Sequence, residues 1–264
     1  MQDNLKIVKC KICSSEASEV FQATVLKKYK VGYFKCPTCG FIQTENPHWL
    51  EEAYQASINL SDTGIVLRNR RAARIATSLI LLFFNRRARF LDYAGGFGLF
   101  TRMMRDNGFD FFWSDPFTRN ELARGFEATL GSRYELATSF ESFEHFDDPI
   151  GETRKILEWS DNILATTELL PQEVPASNWW YYGFEHGQHI SFYTREAFLS
   201  LAGQLGMNYY NVDNFHLLTK EPIPAWGNAL LGLPFAKYFL YFLSFPLSML
   251  LTSKTFTDMS TLKG

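Results

Sequence analysis

Two pairs of cysteines constrain the fold of this chain more than any other feature of its sequence. Cys10 and Cys13 form one CxxC motif, Cys36 and Cys39 form a second, and no cysteine lies outside these pairs. Each CxxC turn can present two thiolates to one ion, and two such turns complete the tetrahedral site that holds structural zinc. The sequence therefore predicts a zinc ribbon over residues 1–47, which are too few to be held together by burial alone. A redox dithiol is the alternative, although it normally uses one CxxC at a helix start.

The composition excludes several other classes of protein. Hydrophobic residues make up 46% of the 264 residues, which is enough for a sizeable core. The formal net charge of -2 lacks the basic excess typical of nucleic-acid binding, so no nucleic-acid partner is expected. Because no cysteine remains for a disulfide and Met1–Asn4 has no signal-peptide pattern, we expect a cytoplasmic protein.

Beyond residue 88 the sequence alternates between short buried strands and helices. The predicted strands are Arg89–Asp92, Phe109–Ser114, Gly125–Ala128, Tyr134–Phe140, Asn162–Glu168, Asn208–Asp213 and Phe215–Thr219. The predicted helices are Phe97–Asn107, Thr118–Arg124, Pro149–Trp159 and Thr194–Leu205. This alternation predicts an α/β fold, with a mostly parallel seven-stranded sheet, helices on both faces and the ribbon in front.

A glycine-rich turn follows the first of these strands. Asp92 ends the strand, and Gly95, Gly96 and Gly98 follow it, a spacing that differs from the GxGxxG of dinucleotide-binding proteins. Such a turn lets the backbone approach a ligand closely and directs amide N–H groups toward it. Taken alone, the glycines could form only a tight turn, and Asp115, which ends the next strand, could be a helix cap.

The segment from Asp92 to Gly98 resembles the D-x-G-x-G-x-G turn of class I S-adenosylmethionine-dependent methyltransferases, with Ala94 in place of the first glycine. The segment that ends at Glu144 and His145 is similar to the E-V-L-E-H segment after the fourth strand of that family. Together with the position of Asp115, this resemblance covers roughly residues 88–220. Within the family, the chain resembles bacterial enzymes with an N-terminal four-cysteine ribbon, including longer sugar C-methyltransferases that carry a further C-terminal domain.

The resemblance implies a Rossmann-like fold and S-adenosylmethionine as the cofactor. By family position, Asp115 would accept the ribose hydroxyls and Phe117 would pack on adenine. The remaining residues that it assigns to the cofactor are Asp92, Ala94, Gly95, Gly96 and Gly98 in the turn, and Ser139, Phe140 and Glu141 beside the methionine part. Tyr54 either closes over the cofactor or belongs to the core.

An aromatic loop after the fifth predicted strand is the candidate acceptor site. It contains four consecutive aromatic residues, 179–182, followed by Glu185, His186 and His189. Aromatic faces stack on sugars, and a histidine can take a proton from a hydroxyl near neutral pH. His189 begins a run similar to the H…F/Y-[ST] segment of related methyltransferases, so we predict it as the base, with His186 second and Glu185 orienting. Alternatively, His189 packs or caps the loop, and His145 is predicted to be structural.

Residues 225–252 are apolar and aromatic, with Lys237 as their only charge. Pro234 and Pro246 interrupt the run, so an uninterrupted membrane-spanning helix is disfavoured. We expect a helical hairpin packed on the domain or in a homodimer, or an interfacial helix at the inner membrane face.

The four predicted segments are a zinc ribbon (1–47), a helical connector (48–88), a cofactor-binding domain (89–221) and an apolar extension (222–264). The function predicted from the resemblance is transfer of a methyl group to a small-molecule or sugar-type acceptor, on oxygen or carbon. One alternative is a zinc-ribbon interaction module, for a partner or RNA, on a catalytically degenerate scaffold. A nicotinamide-dependent oxidoreductase is disfavoured because the GxGxxG motif is missing.

Overall fold

The computed structural model describes residues 6–55 and 62–263, which form two compact units. The first unit combines Met1–Asn59, Glu141–Arg154 and Thr166–Tyr209, and the second combines Leu60–Phe140, Lys155–Ala165 and Tyr210–Gly264. The expectation for Met1–Asn4, and the part of the predicted connector at 56–61, lie outside the described residues. Each unit joins distant stretches of chain, whereas the predicted domains are continuous segments. The predicted domain boundaries stay predictions.

Strands and helices alternate along most of the chain. The strands are β1 (Ile7–Lys9), β2 (Glu16–Val25), β3 (Tyr29–Lys35), β4 (Ile42–Thr44), β5 (Arg89–Tyr93), β6 (Asp110–Ser114), β7 (Ala137–Phe140), β8 (Asn162–Thr166), β9 (Ser191–Phe192), β10 (Asn208–Val212) and β11 (Phe215–Thr219). The α-helices are α1 (Leu50–Ala53), α2 (Ile65–Phe83), α3 (Leu99–Asp106), α4 (Pro149–Leu157), α5 (Arg195–Leu205), α6 (Ala225–Leu231), α7 (Ala236–Ser248) and α8 (Thr255–Lys263).

The first unit contains an antiparallel sheet in the order β1-β2-β3-β4-β9. The fifth strand of this sheet, β9, comes from the segment that the sequence predicted as a loop. It joins the sheet through β4, where Ile42 pairs with Phe192. The strands that flank the cysteine turns therefore share their sheet with a stretch of chain about 150 residues further on. Trp49 is buried beside this sheet, and its indole N–H donates to the carbonyl of Gly187 at 2.8 Å.

The second sheet has six strands in the order β10-β11-β8-β7-β5-β6. Strand β5 lies between β6 and β7 and is parallel to both, with Asp92 opposite Trp113 on one side and Thr138 on the other. Only two residues separate β10 from β11, which requires an antiparallel pair, as the sequence predicted. The Rossmann-like α/β fold is confirmed, with this mostly parallel sheet.

Two predicted elements are wrong, and both lie between β6 and β7. The prediction of a seventh strand at 125–128 fails because the described residues there make only an isolated bridge between Trp113 and Glu127. The helix expected at 118–124 does not form. There the Asn120 side chain accepts from the N–H of Ala123 at 2.9 Å and donates to Glu127 at 2.7 Å. Short polar side chains that bond local backbone in this way compete with helix formation.

The core of the second unit is rich in phenylalanine. Phe90 and Phe111 stack on neighbouring strands with their ring centroids 5.2 Å apart, and Phe100 of α3 meets Phe111 edge to face. Helix α2 packs against α7, where the Ser78 hydroxyl donates to the carbonyl of Leu240 at 2.6 Å.

A buried ion pair fixes the C-terminal helix on α3. Arg105 and Asp258 are both at most 5% exposed, and the guanidinium donates to the two carboxylate oxygens at 2.8 and 2.7 Å. Arg105 also donates to Asp110, and it stacks on the ring of Phe126. A bidentate arginine–carboxylate pair of this kind fixes both distance and orientation.

The apolar segment after residue 224 presents many side chains to solvent. The large hydrophobic residues of 225–252 that are exposed are Trp226, Leu233, Phe235, Tyr238, Phe239, Phe242, Phe245, Met249 and Leu250. Among the described residues, no single helix has the length and apolar character to cross a membrane. The α6–α7 pair meets those criteria only when taken together, and it is bent by 114°.

Candidate active site

The turn between β5 and α3 has an unusual backbone. Ala94, Gly96 and Gly98 all have positive φ values, of 57°, 53° and 84°. Glycine adopts this left-handed region freely, whereas an alanine there costs roughly 1–2 kcal/mol. The turn is closed by hydrogen bonds from the N–H of Gly95 to the carbonyl of Ser114 at 3.2 Å, and from the N–H of Gly98 to the carbonyl of Gly95 at 2.9 Å.

The glycines of this turn have different surroundings. A methyl group at Gly95 would lie 2.7 Å from the Trp113 ring and 2.8 Å from the Asp92 carboxylate, so packing requires glycine there. A methyl group at Gly96 would have no atom within 4 Å. The backbone at Gly96 therefore faces open space, which is the arrangement that a closely approaching ligand needs.

Asp92 fixes the turn from inside the protein. Its carboxylate is 3% exposed and accepts hydrogen bonds from the N–H and the hydroxyl of Thr101, at 3.2 and 2.8 Å, and from the hydroxyl of Thr138 at 3.2 Å. These bonds join the end of β5 to the first turn of α3 and to β7. Burial raises the pKa of Asp92 to about 7, against the opposite effect of these hydrogen bonds.

Asp115 holds the turn from the neighbouring strand. One carboxylate oxygen accepts from the N–H of Gly96 at 2.9 Å, and the other accepts from the N–H groups of Phe117 and Thr118, both at 2.8 Å. The Trp113 indole N–H also donates to the carbonyl of Gly96 at 2.8 Å, a contact that the sequence did not predict. The ring of Phe117 is 90% exposed.

The residues predicted beside the methionine part of the cofactor follow β7. Ser139 is fully buried, and the Phe140 ring packs edge to face on Phe100 at 4.7 Å. Glu141 has a positive φ of 49°, and its N–H donates to the carbonyl of Thr166 at 3.2 Å. The hydroxyl of Thr166 donates to the Glu141 carboxylate at 2.7 Å, so this strained residue is held in place.

The four cysteines meet in the first unit. The sulfur atoms of Cys10 and Cys39 are 3.6 Å apart, those of Cys13 and Cys36 are 3.4 Å apart, and all four lie within 4.8 Å of one another. Sulfur atoms around tetrahedral zinc are separated by about 3.8 Å for zinc–sulfur bonds of about 2.3 Å. The cluster therefore fits zinc.

The aromatic loop brings three histidine rings together in the first unit. The ring centroids of His189 and His186 are 4.7 Å apart, and those of His189 and His145 are 5.1 Å apart. The His189 ring also packs on Tyr181 at 4.7 Å. Glu185 is exposed, and Tyr54, 41% exposed, has its ring 6.1 Å from that of His145.

The hydrogen bond of His189 identifies its tautomer. Its Nδ1 lies 2.6 Å from the carbonyl oxygen of Tyr181, and since a carbonyl only accepts, Nδ1 carries the hydrogen. The lone pair is then on Nε2, where it is available to a proton or a ligand. Burial lowers the pKa of His189 well below the usual value, so the ring is neutral at neutral pH.

Sequence analysis named Glu144 as part of the family resemblance but gave it no role, and it is 1% exposed. Together with His145 and His189 it places three ligand atoms within 4.8 Å of one another. Neither that similarity nor its position directly before His145 reveals burial.

Comparison with known proteins identifies the family. A model described as "methyltransferase domain" matches residues 67–212, which is just over half of the chain. The chain belongs to the methyltransferase domain family. This match confirms the predicted methyltransferase, and with it the prediction of an enzyme. No curated protein matches the sequence.

Solved structures similar to this methyltransferase domain protein include three methyltransferases that act on small molecules. One is 1,6-didemethyltoxoflavin-N1-methyltransferase of Burkholderia thailandensis, with 14% identity over 72% of this chain and 93% of that one, and a TM-score of 0.48. Magnesium protoporphyrin IX methyltransferase of Synechocystis has 11% identity over 64% and 90%, and a TM-score of 0.44. Mitomycin 7-O-methyltransferase has 14% identity over 64% and 59%, and a TM-score of 0.42.

The raised pKa of Asp92 predicts how the stability of the folded protein depends on pH. The stabilisation from Asp92 is complete below the ordinary carboxyl pKa of about 4 and is lost as the pH rises through about 7. Asp92→Asn keeps the shape but has no charge to bury. We expect the free energy of unfolding of this variant, relative to wild type, to increase by about 2 kcal/mol between pH 5 and pH 8.

Urea unfolding at the two pH values measures this difference. Asp161→Asn is the matched control, because the Asp161 side chain is 65% exposed. If Asp92→Asn and Asp161→Asn show the same pH dependence, Asp92 does not have a raised pKa.

Proposed function

We propose that the protein transfers a methyl group from S-adenosylmethionine to a hydroxylated small molecule or a sugar-type acceptor, on oxygen or carbon. Membership of the methyltransferase domain family supports the reaction type. The observation that carries the choice of donor is the open approach to the backbone at Gly96, between carboxylates that fix the turn on either side. When bound, this donor supplies a methyl group that is already electrophilic, so the protein mainly has to align the reactants.

In this proposal the turn from Ala94 to Gly98 cradles the donor, and Asp92 keeps the turn in place. Asp115 binds the ribose hydroxyls. Its carboxylate has about four acceptor positions, of which three N–H groups use three, so one position is open and the second hydroxyl would take the place of an N–H group. The exposed Phe117 packs on adenine. By their family positions, Ser139, Phe140 and Glu141 belong to the methionine side of the proposed donor site.

Two glycine substitutions test the donor site. Gly96→Ala adds a methyl group that meets no protein atom but occupies the approach to the turn, so we expect S-adenosylmethionine to bind at least about tenfold more weakly, a loss of about 1.4 kcal/mol. Gly131→Ala is the matched control, because Gly131 also has a positive φ, of 79°, and no atom within 4 Å of the added methyl.

Isothermal titration calorimetry gives both affinities, and urea unfolding shows whether the two variants lose the same stability. If Gly96→Ala and Gly131→Ala bind S-adenosylmethionine equally well, the turn is not part of the donor site. A wild-type protein that binds no S-adenosylmethionine would instead favour the catalytically degenerate scaffold.

On the acceptor side, we assign the first role to His189, the second to His186 and an orienting role to Glu185. His189 presents the unprotonated Nε2 inferred from its hydrogen bond to Tyr181, which is the form that accepts a proton. The adjacent aromatic residues provide faces on which a sugar or a flat ring can stack.

Substitution of His189 tests this assignment. His189→Asn should lower methyl transfer at least about 100-fold, since general base catalysis contributes about 10²–10⁴-fold, while the affinity for S-adenosylmethionine stays within about twofold. The measurement is transfer of label from methyl-labelled donor to a panel of hydroxylated small molecules. His48→Asn, at an exposed histidine, is the control, and an unchanged rate in His189→Asn would reject the role.

We propose that Cys10, Cys13, Cys36 and Cys39 hold one structural zinc ion. Four sulfur ligands leave no open coordination position, so the ion would fold the ribbon rather than take part in the reaction. Elemental analysis of the purified protein should find this zinc, and Cys13→Ser should lose it.

We further propose that the protein acts in the cytoplasm, with residues 225–252 resting on the inner membrane surface. The exposed aromatic side chains of α6 and α7 support this contact, and Arg74, which stacks on Phe245 at 4.0 Å, adds positive charge beside them.

Vesicle flotation tests the membrane contact. Full-length protein should float with vesicles that contain anionic lipid, and Tyr238→Ser with Phe242→Ser should abolish flotation. Leu130→Ser is the control, because Leu130 is 87% exposed outside this segment. If the protein instead forms dimers through α7 and does not float, the apolar segment contacts a second copy of the chain and not a membrane.

A further inference from the structure

The first unit contains a second group of potential metal ligands besides the cysteines. Glu144 and His145 lie in a 3-10 turn at Phe143–His145, and His189 precedes β9. The N–H of Ile190 donates to the carbonyl of Glu144 at 2.9 Å, which ties these two stretches together. One ligand atom from each of the three side chains lies within 4.8 Å of the other two.

The carboxylate of Glu144 is buried without a donor. The residue is 1% exposed, and among the described residues neither of its side-chain oxygens has a hydrogen-bond partner. The hydroxyls of Thr167 and Tyr181 face it and favour its ionised form, but neither meets hydrogen-bond geometry with it. A buried carboxylate in this position needs a proton or a cation, because an uncompensated charge is costly.

Both histidines are oriented as metal ligands are. Nδ1 of His145 lies 3.0 Å from the carbonyl oxygen of Gln188, as Nδ1 of His189 does from that of Tyr181 at 2.6 Å. Each Nδ1 therefore donates, and each Nε2 carries a lone pair. Metal-binding histidines almost always donate their other ring N–H to such a partner. The backbone of Glu141 also faces His145 and is the competing partner for its ring.

The Glu144 carboxylate and the rings of His145 and His189 thus bring three possible ligand atoms together. We propose that Glu144, His145 and His189 bind one divalent first-row transition-metal ion. Two imidazole nitrogens and one carboxylate suit Zn²⁺, Fe²⁺, Co²⁺ or Mn²⁺, and three protein ligands leave positions open for a further oxygen. His145 and His189 are partly exposed, so that an ion can reach the site.

A catalytic role for this metal site rests on the proposed methyl transfer. An acceptor hydroxyl bound at an open position of the ion would lose its proton more readily, as metal-bound water does. His189 would then act through the ion, and His186, whose ring lies 4.7 Å from it, would take the proton on Nδ1 and give up the hydrogen bond that Nδ1 accepts from the N–H of Gln188 at 3.2 Å. The preferred acceptors would be molecules that can offer a hydroxyl oxygen to a metal.

Cobalt titration of the full-length protein tests the site. With the cysteine cluster first loaded with one equivalent of zinc per chain, we expect one Co²⁺ per chain, with visible bands of nitrogen and oxygen ligands and no sulfur charge-transfer band. Glu144→Gln and His189→Asn should each weaken Co²⁺ binding at least about tenfold, since even loss of an outer hydrogen bond costs about 10–100-fold. Glu16→Gln and His48→Asn, both at exposed positions of the same unit, should bind as wild type does.

A wild type that holds one zinc per chain and takes up no further Co²⁺ overturns the proposal, and this result needs no variant to fold. It would mean that a proton, not a metal, compensates Glu144. Equal Co²⁺ affinity in Glu144→Gln and wild type would also overturn it. Calorimetry with S-adenosylmethionine on the same samples separates this outcome from failure of the donor site, because the donor can bind whether or not cobalt does.

Discussion

The buried carboxylate of Asp92 is the interaction on which the donor turn depends. It holds the start of α3 through both the N–H and the hydroxyl of Thr101, and it holds β7 through Thr138. Because strand end and helix start are joined, the turn between them cannot relax into a wider loop. Asp115 then fixes Gly96 from the adjacent strand. The open approach at Gly96 is therefore a property of two carboxylates as much as of the glycines.

Sequence reasoning predicted this region where the signals were local. The strand ending at Asp92, the glycines after it and the helix that follows could be read from hydrophobic runs and glycine spacing. It did not predict that Ala94 would adopt the left-handed backbone region, nor that Trp113 would donate to Gly96. Both depend on how separate strands meet, which a single stretch of sequence does not encode.

The first unit shows the same limit on a larger scale. The cysteine spacing predicted a closed ribbon, yet β9 supplies a strand to its sheet from far along the chain. The aromatic loop was noticed for its composition, whereas its pairing with β4 is a long-range event. Glu144 was given no role because one acidic residue beside a histidine is ordinary in sequence, and only the folded structure shows its buried carboxylate without a hydrogen-bond partner among the described residues.

The contact between Arg105 and Asp258 links the last helix of the chain to the helix that begins at the donor turn. A chain shortened before residue 258 would leave the guanidinium in the interior with Asp110 as its remaining counter-charge. Breaking a buried ion pair costs up to about 3–5 kcal/mol. Removal of α8 to improve solubility would thus weaken the position of α3, the helix that begins at the donor turn. A change at the C-terminus therefore affects the donor turn.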